Sequence, residues 1–166
     1  MLIRAATASD LAGVVDVHVA SWDAAKDGLD LVTRRTPEQR TELWTAFFAQ
    51  GRGQMFVAED QGRVVGFMAF GPSRDDDRQG QTEIYTLYVD PAWWRQGIGS
   101  SLMDQVSDTG GPLSVWTSEG SAQARGFYAR HGFHPDGATE AGHHLPQVRL
   151  VRSERPSPAP EATEGP

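Results

Sequence analysis

Apolar positions recur along this chain at two different spacings, and the changes of spacing mark its elements. Leu2 to Ala5 is a short first strand. Thr7-Ala8-Ser9-Asp10 reads as a capping-box variant, with aspartate in the place of glutamate. After it Leu11, Val14, Val15, His18 and Trp22 fall on one helical stripe. Lys26 to Arg35 is polar and reads as a loop. Thr36-Pro37-Glu38-Gln39 starts a second helix, with threonine as cap, proline in the first turn and glutamine at the box position. That helix carries Leu43, Trp44, Phe47 and Phe48 and ends near Gly51. Gln54 to Glu59 and Val64 to Phe70 are strands joined by a hairpin at Asp60-Gln61-Gly62-Arg63. Gly71 to Gly80 is a loop.

Glu83 to Val89 is rich in β-branched and aromatic residues and stops at the turn signal Asp90-Pro91. Gln96-Gly97-Ile98-Gly99 then leads into a helix whose apolar residues are Leu102, Met103 and Val106, ending near Ser107. Gly110-Gly111-Pro112 breaks the chain, and Leu113 to Thr117 forms a short strand. A helix from Ser121 to Arg130 ends at His131-Gly132. Phe133 begins another strand and Val148 to Val151 forms the last. Asp136 to Pro146, with His143 and His144, is expected to be the turn between them. The tail beyond residue 151 holds four of the ten prolines and no large apolar residue past Ser153, and is expected to be disordered. One domain over 1–151 and a tail over 152–166 follow.

Composition narrows the chemistry. The 166 residues suffice for one domain, and 39% hydrophobic with 22% charged is ordinary for a globular protein. No apolar run is long enough to span a bilayer, and the N-terminus lacks a signal-peptide core, so a cytoplasmic protein with no membrane partner is expected. Cysteine is absent, which removes disulfides, thiolate metal sites and a cysteine acyl-enzyme. Net charge is −7; two Arg and three Glu lie in the tail from Arg152, leaving −6 on the body. An acidic body argues against nucleic acid and is compatible with a cationic substrate. The triplet Asp75-Asp76-Asp77 does not converge on one ion without special backbone and reads as a solvated loop. No metal site is expected, from these residues or from His143 and His144.

The most informative stretch is the glycine turn. Gly97 and Gly99 let the backbone bend tightly and approach a ligand, and the free N–H groups of the new helix suit an anion. A lone Gly-x-Gly after a strand is also often only a turn. A Rossmann site is disfavoured, because the third glycine of its pattern falls at Leu102.

Val89-Asp90-Pro91 followed by Gly97-Ile98-Gly99 resembles the acetyl-CoA motif Gln/Arg-x-x-Gly-x-Gly/Ala of the GNAT N-acetyltransferase superfamily, although Trp94 stands at its first position. Ala124, Phe127, Tyr128, Gly132 and Phe133 match a second motif of that superfamily, Asn-x-x-Ala-x-x-Phe-Tyr-x-x-x-Gly-Phe, with Ser121 in the place of asparagine. The resemblance covers about residues 2–151. It implies an α/β (α+β) domain of the GNAT fold, with a mixed, mostly antiparallel twisted sheet flanked by helices. It implies transfer of an acetyl group from acetyl-CoA to a primary amine, on a small molecule or a peptide; with no cysteine in the chain, direct attack in a ternary complex is the simplest route, and a serine ester intermediate stays open. By the same resemblance the N–H groups of Arg95, Gln96, Gly97, Ile98, Gly99 and Ser100 cradle the pyrophosphate, and Ser121 is either a CoA contact or a helix cap; attack on a thioester creates an oxyanion, for which the N–H groups of Leu87, Tyr88 and Val89 are the candidates. Tyr128 matches the tyrosine placed near the CoA sulfur.

An alkylammonium must lose a proton before it attacks a thioester. Glu83 lies on the strand that the family uses for this and is the candidate base; a solvated strand-end residue is the other reading. His18 and Trp22 either face the acceptor or pack in the core. A catalytically inactive CoA-binding or sensor module is the alternative function, and a homodimer stays open because many relatives pair.

Overall fold

The structure is a computed structural model, and it describes residues 1–25, 35–107, 110–141 and 145–153. Residues 26–34, most of the stretch expected to be a loop, lie outside them, as do His143, His144 and the tail from 154. Seven strands form one sheet: β1 Leu2–Ala5, β2 Gln54–Asp60, β3 Arg63–Pro72, β4 Thr82–Val89, β5 Leu113–Ser118, β6 His134–Glu140 and β7 Gln147–Arg152. Their order is β1-β2-β3-β4-β5-β7-β6, antiparallel throughout except where β4 and β5 run parallel. Helices α1 (Leu11–Ala25) and α2 (Pro37–Gln50) cover one face, and α3 (Ile98–Ser107) and α4 (Ala122–Arg130) the other. Among the described residues, no helix is long and apolar enough to cross a membrane.

The two faces have separate cores because strand side chains alternate. Val14, Val17 and Trp44 pack on Val57, Phe67 and Ala69 under α1 and α2. Ile98, Leu102, Met103 and Tyr128 pack on Val65, Met68, Ile84 and Val115 under α3 and α4. The β2–β3 hairpin turns on Gln61 and Gly62, both at positive φ (48° and 79°), the two-residue geometry that matches strand twist. Thr36 and Gln39 close a reciprocal capping box, Thr36 N–H to Gln39 Oε1 at 2.9 Å and Gln39 N–H to Thr36 Oγ1 at 3.3 Å.

The last hairpin differs from expectation. β6 continues through Asp136 to Glu140, where the pattern suggested a turn. The pairing slips between Pro135 and Thr139, and Gly137 at φ 93° takes up the bulge. Proline, aspartate and glycine in succession hide such a strand from a search for alternating apolar residues. The aspartate loop also differs: Asp75 and Asp77 are not free in solvent. Both bind Arg149 of β7, at 3.0 and 2.6 Å, and Asp136 joins them at 2.8 Å. Trp116 of β5 stacks on that guanidinium and donates to Asp75 at 3.0 Å. The β3–β4 loop is thereby fastened to the C-terminal strands.

Arg4 makes a similar clamp at the other sheet edge. It donates to Asp10 at 2.8 and 2.7 Å and to Glu59 at 2.9 and 2.6 Å. Arg4 holds the Asp10 carboxyl down, from 3.8 to about 2, against the opposing effect of burial. A carboxylate depressed in the folded state stabilises above its unfolded value and loses that contribution as pH falls through the folded one. Asp10→Asn should therefore cost about 1–2 kcal/mol at pH 7 and little near pH 2. Denaturant unfolding at the two pH values measures the difference; an equal cost at both would show that charge is not the cause.

Candidate active site

β4 carries the site because it parts from β5. The parallel pairing covers Thr82–Leu113, Glu83–Ser114 and Ile84–Val115 and goes no further. A bulge sits where the divergence starts: Ile84 pairs with Phe70 and Thr86 with Ala69, leaving Tyr85 extra. Beyond it the N–H of Asp90 bonds Val65 O at 2.9 Å. Neighbouring residues of a strand point their amides in opposite directions, so Tyr88 and Thr86 also bond β3. Leu87 and Val89 then direct their N–H groups into the gap that β5 has left. The C=O of Val89 lies on the same side and accepts from Trp94 Nε1 at 2.7 Å and Ser21 Oγ at 3.0 Å. Trp94, the departure from the resembled motif, thus serves as a strut under the end of β4.

The glycine turn closes the open end of this gap. Asp90 accepts from the N–H of Ala92 at 3.0 Å and pairs with Arg63 at 2.7 Å, which fixes the turn after β4. Arg95 and Gly97 both have positive φ, 63° and 80°. A left-handed arginine is costly, by about 1 kcal/mol or more, and is held here between the Trp94 strut and the buried Ile98. The first i→i−4 bond of α3 runs from Ser101 N–H to Gly97 O. The amides of Ile98, Gly99 and Ser100 therefore have no acceptor within the helix. Arg95, Gln96 and Gly97 are exposed beside them, and a Cβ on Gly97 would meet nothing within 4 Å. An anionic group fits this exposed, positively polarised turn. Gly99 instead permits close helix packing: a Cβ there would lie 3.1 Å from the Phe127 ring. Ser100 Oγ and His131 Nε2, 3.1 Å apart, tie α3 to the end of α4.

Tyr128 enters from the α4 face. Its side chain is buried, and its hydroxyl has no hydrogen-bond partner among the described residues. Burial pushes that hydroxyl well above the ordinary tyrosine value, and Tyr88 adds to the effect. It stays protonated at every physiological pH. Ser121 is the N-cap of α4 and accepts from Ala124 N–H at 3.3 Å.

On the other face, Glu83 is 1% exposed and fully engaged with Arg74. Arg74 donates its backbone N–H to Oε2 at 2.9 Å, Nε to both oxygens at 3.1 and 3.2 Å, and Nη2 to Oε1 at 2.5 Å. Sequence reasoning missed Arg74, because nothing local ties a loop arginine to a strand nine residues later. His18 is buried at 5% exposure and stacks on Tyr88 with ring centroids 4.8 Å apart. Its Nδ1 accepts from Trp44 Nε1 at 3.0 Å, which places the ring proton on Nε2. Burial, with Arg40 and Arg35 nearby, holds His18 down at about 3, so the ring is neutral. Trp22 is half-buried and donates from Nε1 to Tyr88 Oη at 3.0 Å. Glu83, Tyr85, Tyr88, His18 and Trp22 thus share the α1/α2 side, while Tyr128 and the glycine turn belong to the other. Among the described residues no group of three His, Cys, Asp or Glu converges to hold a metal ion.

A sheet split between two parallel strands, with a glycine turn and helix at the split, sets an open gap beside a turn suited to an anion. Comparison makes the assignment specific: the acetyltransferase (GNAT) domain profile matches residues 51–135. A probable N-acetyltransferase of Mycobacterium tuberculosis is 31% identical over 170 residues, covering 93% of this chain and 95% of that protein. The chain belongs to the GNAT acetyltransferase family. Solved structures agree on the fold. A ribosomal-protein-alanine N-acetyltransferase from Brucella melitensis superposes with a TM-score of 0.71 at 23% identity, over 92% of this chain and 99% of that one. The PaiA N-acetyltransferase from Thermoplasma acidophilum, solved in complex with coenzyme A, gives 0.71 at 14% identity, over 92% and 98%.

Proposed function

We propose that the chain transfers an acetyl group from acetyl-CoA to a primary amine by direct attack within a ternary complex. The observation that carries this reading is the gap between β4 and β5, open to a helix face on each side and ended by the anion-suited turn. Acetyl-CoA supplies an activated thioester carbonyl. The amides of residues 95–100 hold its pyrophosphate. Leu87 and Val89 aim N–H groups where negative charge develops on the carbonyl oxygen, and Tyr88 holds that stretch in register. Tyr128 keeps its proton and gives it, or a hydrogen bond, to the departing sulfur. Glu83 takes the proton from the amine, directly or through a water. His18 and Trp22 fix Tyr88 and wall the acceptor side. Ser121 caps α4 beneath the thioester arm. A cytoplasmic address is part of the same reading.

Tyr128→Phe tests the assignment. Acetyl-CoA affinity, measured by calorimetry, should stay within about twofold, while kcat falls by about 10²-fold or more. Unchanged turnover would remove Tyr128 from the reaction. The same measurement also separates transfer from CoA binding alone, since a binding module has no turnover to lose.

A further inference from the structure

We propose that the acceptor is a short amine that also carries a carboxylate, and that Arg74 binds this carboxylate. The inference rests on the transfer reading above and adds the class of acceptor. Arg74 spends Nε and Nη2 on Glu83, but Nη1 has no hydrogen-bond partner among the described residues. The side chain is 65% exposed although the carboxylate it grips is 1% exposed. Its guanidinium lies over the Tyr85 ring at 4.6 Å. Tyr85 is itself fixed, by its hydroxyl on Pro72 O at 2.7 Å and by Phe47 of α2 edge-on. A guanidinium stacked and forked in this way is pre-organised, and its outward edge is a ready donor for a planar anion.

The charges around it favour the same conclusion. Glu83 is matched by Arg74. Asp75, next in sequence to Arg74, is committed to Arg149 and Trp116. Asp23 at the end of α1 already has an interaction of its own. A bare ammonium approaching Glu83 therefore meets a carboxylate whose charge is already balanced. An acceptor with its own carboxylate restores the balance: its anion sits on Nη1 and its amine reaches the Glu83 side. Both halves of the Arg74–Glu83 pair belong to one contact, so the amine and the carboxylate are only a few bonds apart. An α-amino acid or a close analogue has that form. A lysine side chain within a protein does not.

The test measures CoA release by the wild-type protein at saturating acetyl-CoA, with the standard L-amino acids and the methyl amide of each as acceptors. The best acids should exceed their amides by about ten- to a hundredfold in kcat/KM, the range of a charge-assisted contact. Arg74→Lys, which keeps the charge and loses the fork, should cut that ratio at least severalfold, and Arg74→Gln should bring it close to one. Amides used as well as acids, or a ratio that Arg74→Lys leaves intact, would overturn the proposal. A second arm needs no turnover: the same acids and amides are titrated by calorimetry into the CoA-loaded protein. Carboxylate-dependent binding without acetylation would sink the transfer reading and keep Arg74 as an anion site. Absence of carboxylate-dependent binding and rate, with neutral amines acetylated, would overturn the inference alone.

Discussion

Replacing Gly99 by glutamate should abolish acetyl-CoA binding and leave a folded protein. Any Cβ at this position comes within 3.1 and 3.3 Å of the Phe127 ring and 3.7 Å of Leu87. The first turn of α3 must then move away from α4, and the amides of Ile98 to Ser100 move with it. The added carboxylate also brings a negative charge to the turn proposed to hold the pyrophosphate. A negative charge at a helix N-terminus is favourable to the helix itself, by about 0.3–1 kcal/mol. That gain offsets part of the packing cost, so the net loss of stability should be modest, about 1–3 kcal/mol. Affinity for acetyl-CoA, read by calorimetry, should fall by more than about a hundredfold. Gly99→Ala carries the steric part alone and should lose far less. If Gly99→Glu binds acetyl-CoA within a few fold of wild type, the turn is not the phosphate cradle.

The parts of the fold that follow from neighbours in sequence were legible. The Thr36–Gln39 box, the Gln61-Gly62 hairpin and the order from strand through glycine turn to helix are each built within a few residues. The second motif placed Tyr128 on α4 for the same reason. What escaped were groups joined across the sheet. Arg74 meets Glu83, and Arg149 of β7 collects Asp75, Asp77 and Asp136 from two other elements. Nothing in a polar loop distinguishes a solvated aspartate from one that will meet a buried arginine more than seventy residues away. Trp94 shows the limit from the opposite side. As a motif position it departs from expectation, yet its indole N–H completes the end of β4 by holding Val89 O. The departure at the cofactor turn became a support for the strand beneath it.

Glu83→Gln should lower kcat by about 10²- to 10³-fold with acetyl-CoA affinity within about twofold. The amide keeps the shape and one acceptor oxygen, so the Arg74 backbone N–H and part of the fork retain a partner. What goes is the ability to take a proton. The cost in stability depends on which partner of the ion pair is left without charge compensation. In Glu83→Gln that partner is Arg74, whose side chain is 65% exposed and can turn to water, and the cost should be about 1–2 kcal/mol. In Arg74→Met the stranded group is the Glu83 carboxylate at 1% exposure, and the cost should be about 3–5 kcal/mol. The two substitutions remove the same ion pair, so a role that was only structural would rank them by stability. Thermal unfolding and steady-state kinetics on both variants decide the matter. A base at Glu83 requires the more stable variant, Glu83→Gln, to be the one whose kcat collapses at saturating acceptor. If Glu83→Gln turns over at more than a tenth of the wild-type rate, the proton is taken by another group, and Glu83 is the buried anchor that holds Arg74 in the cleft.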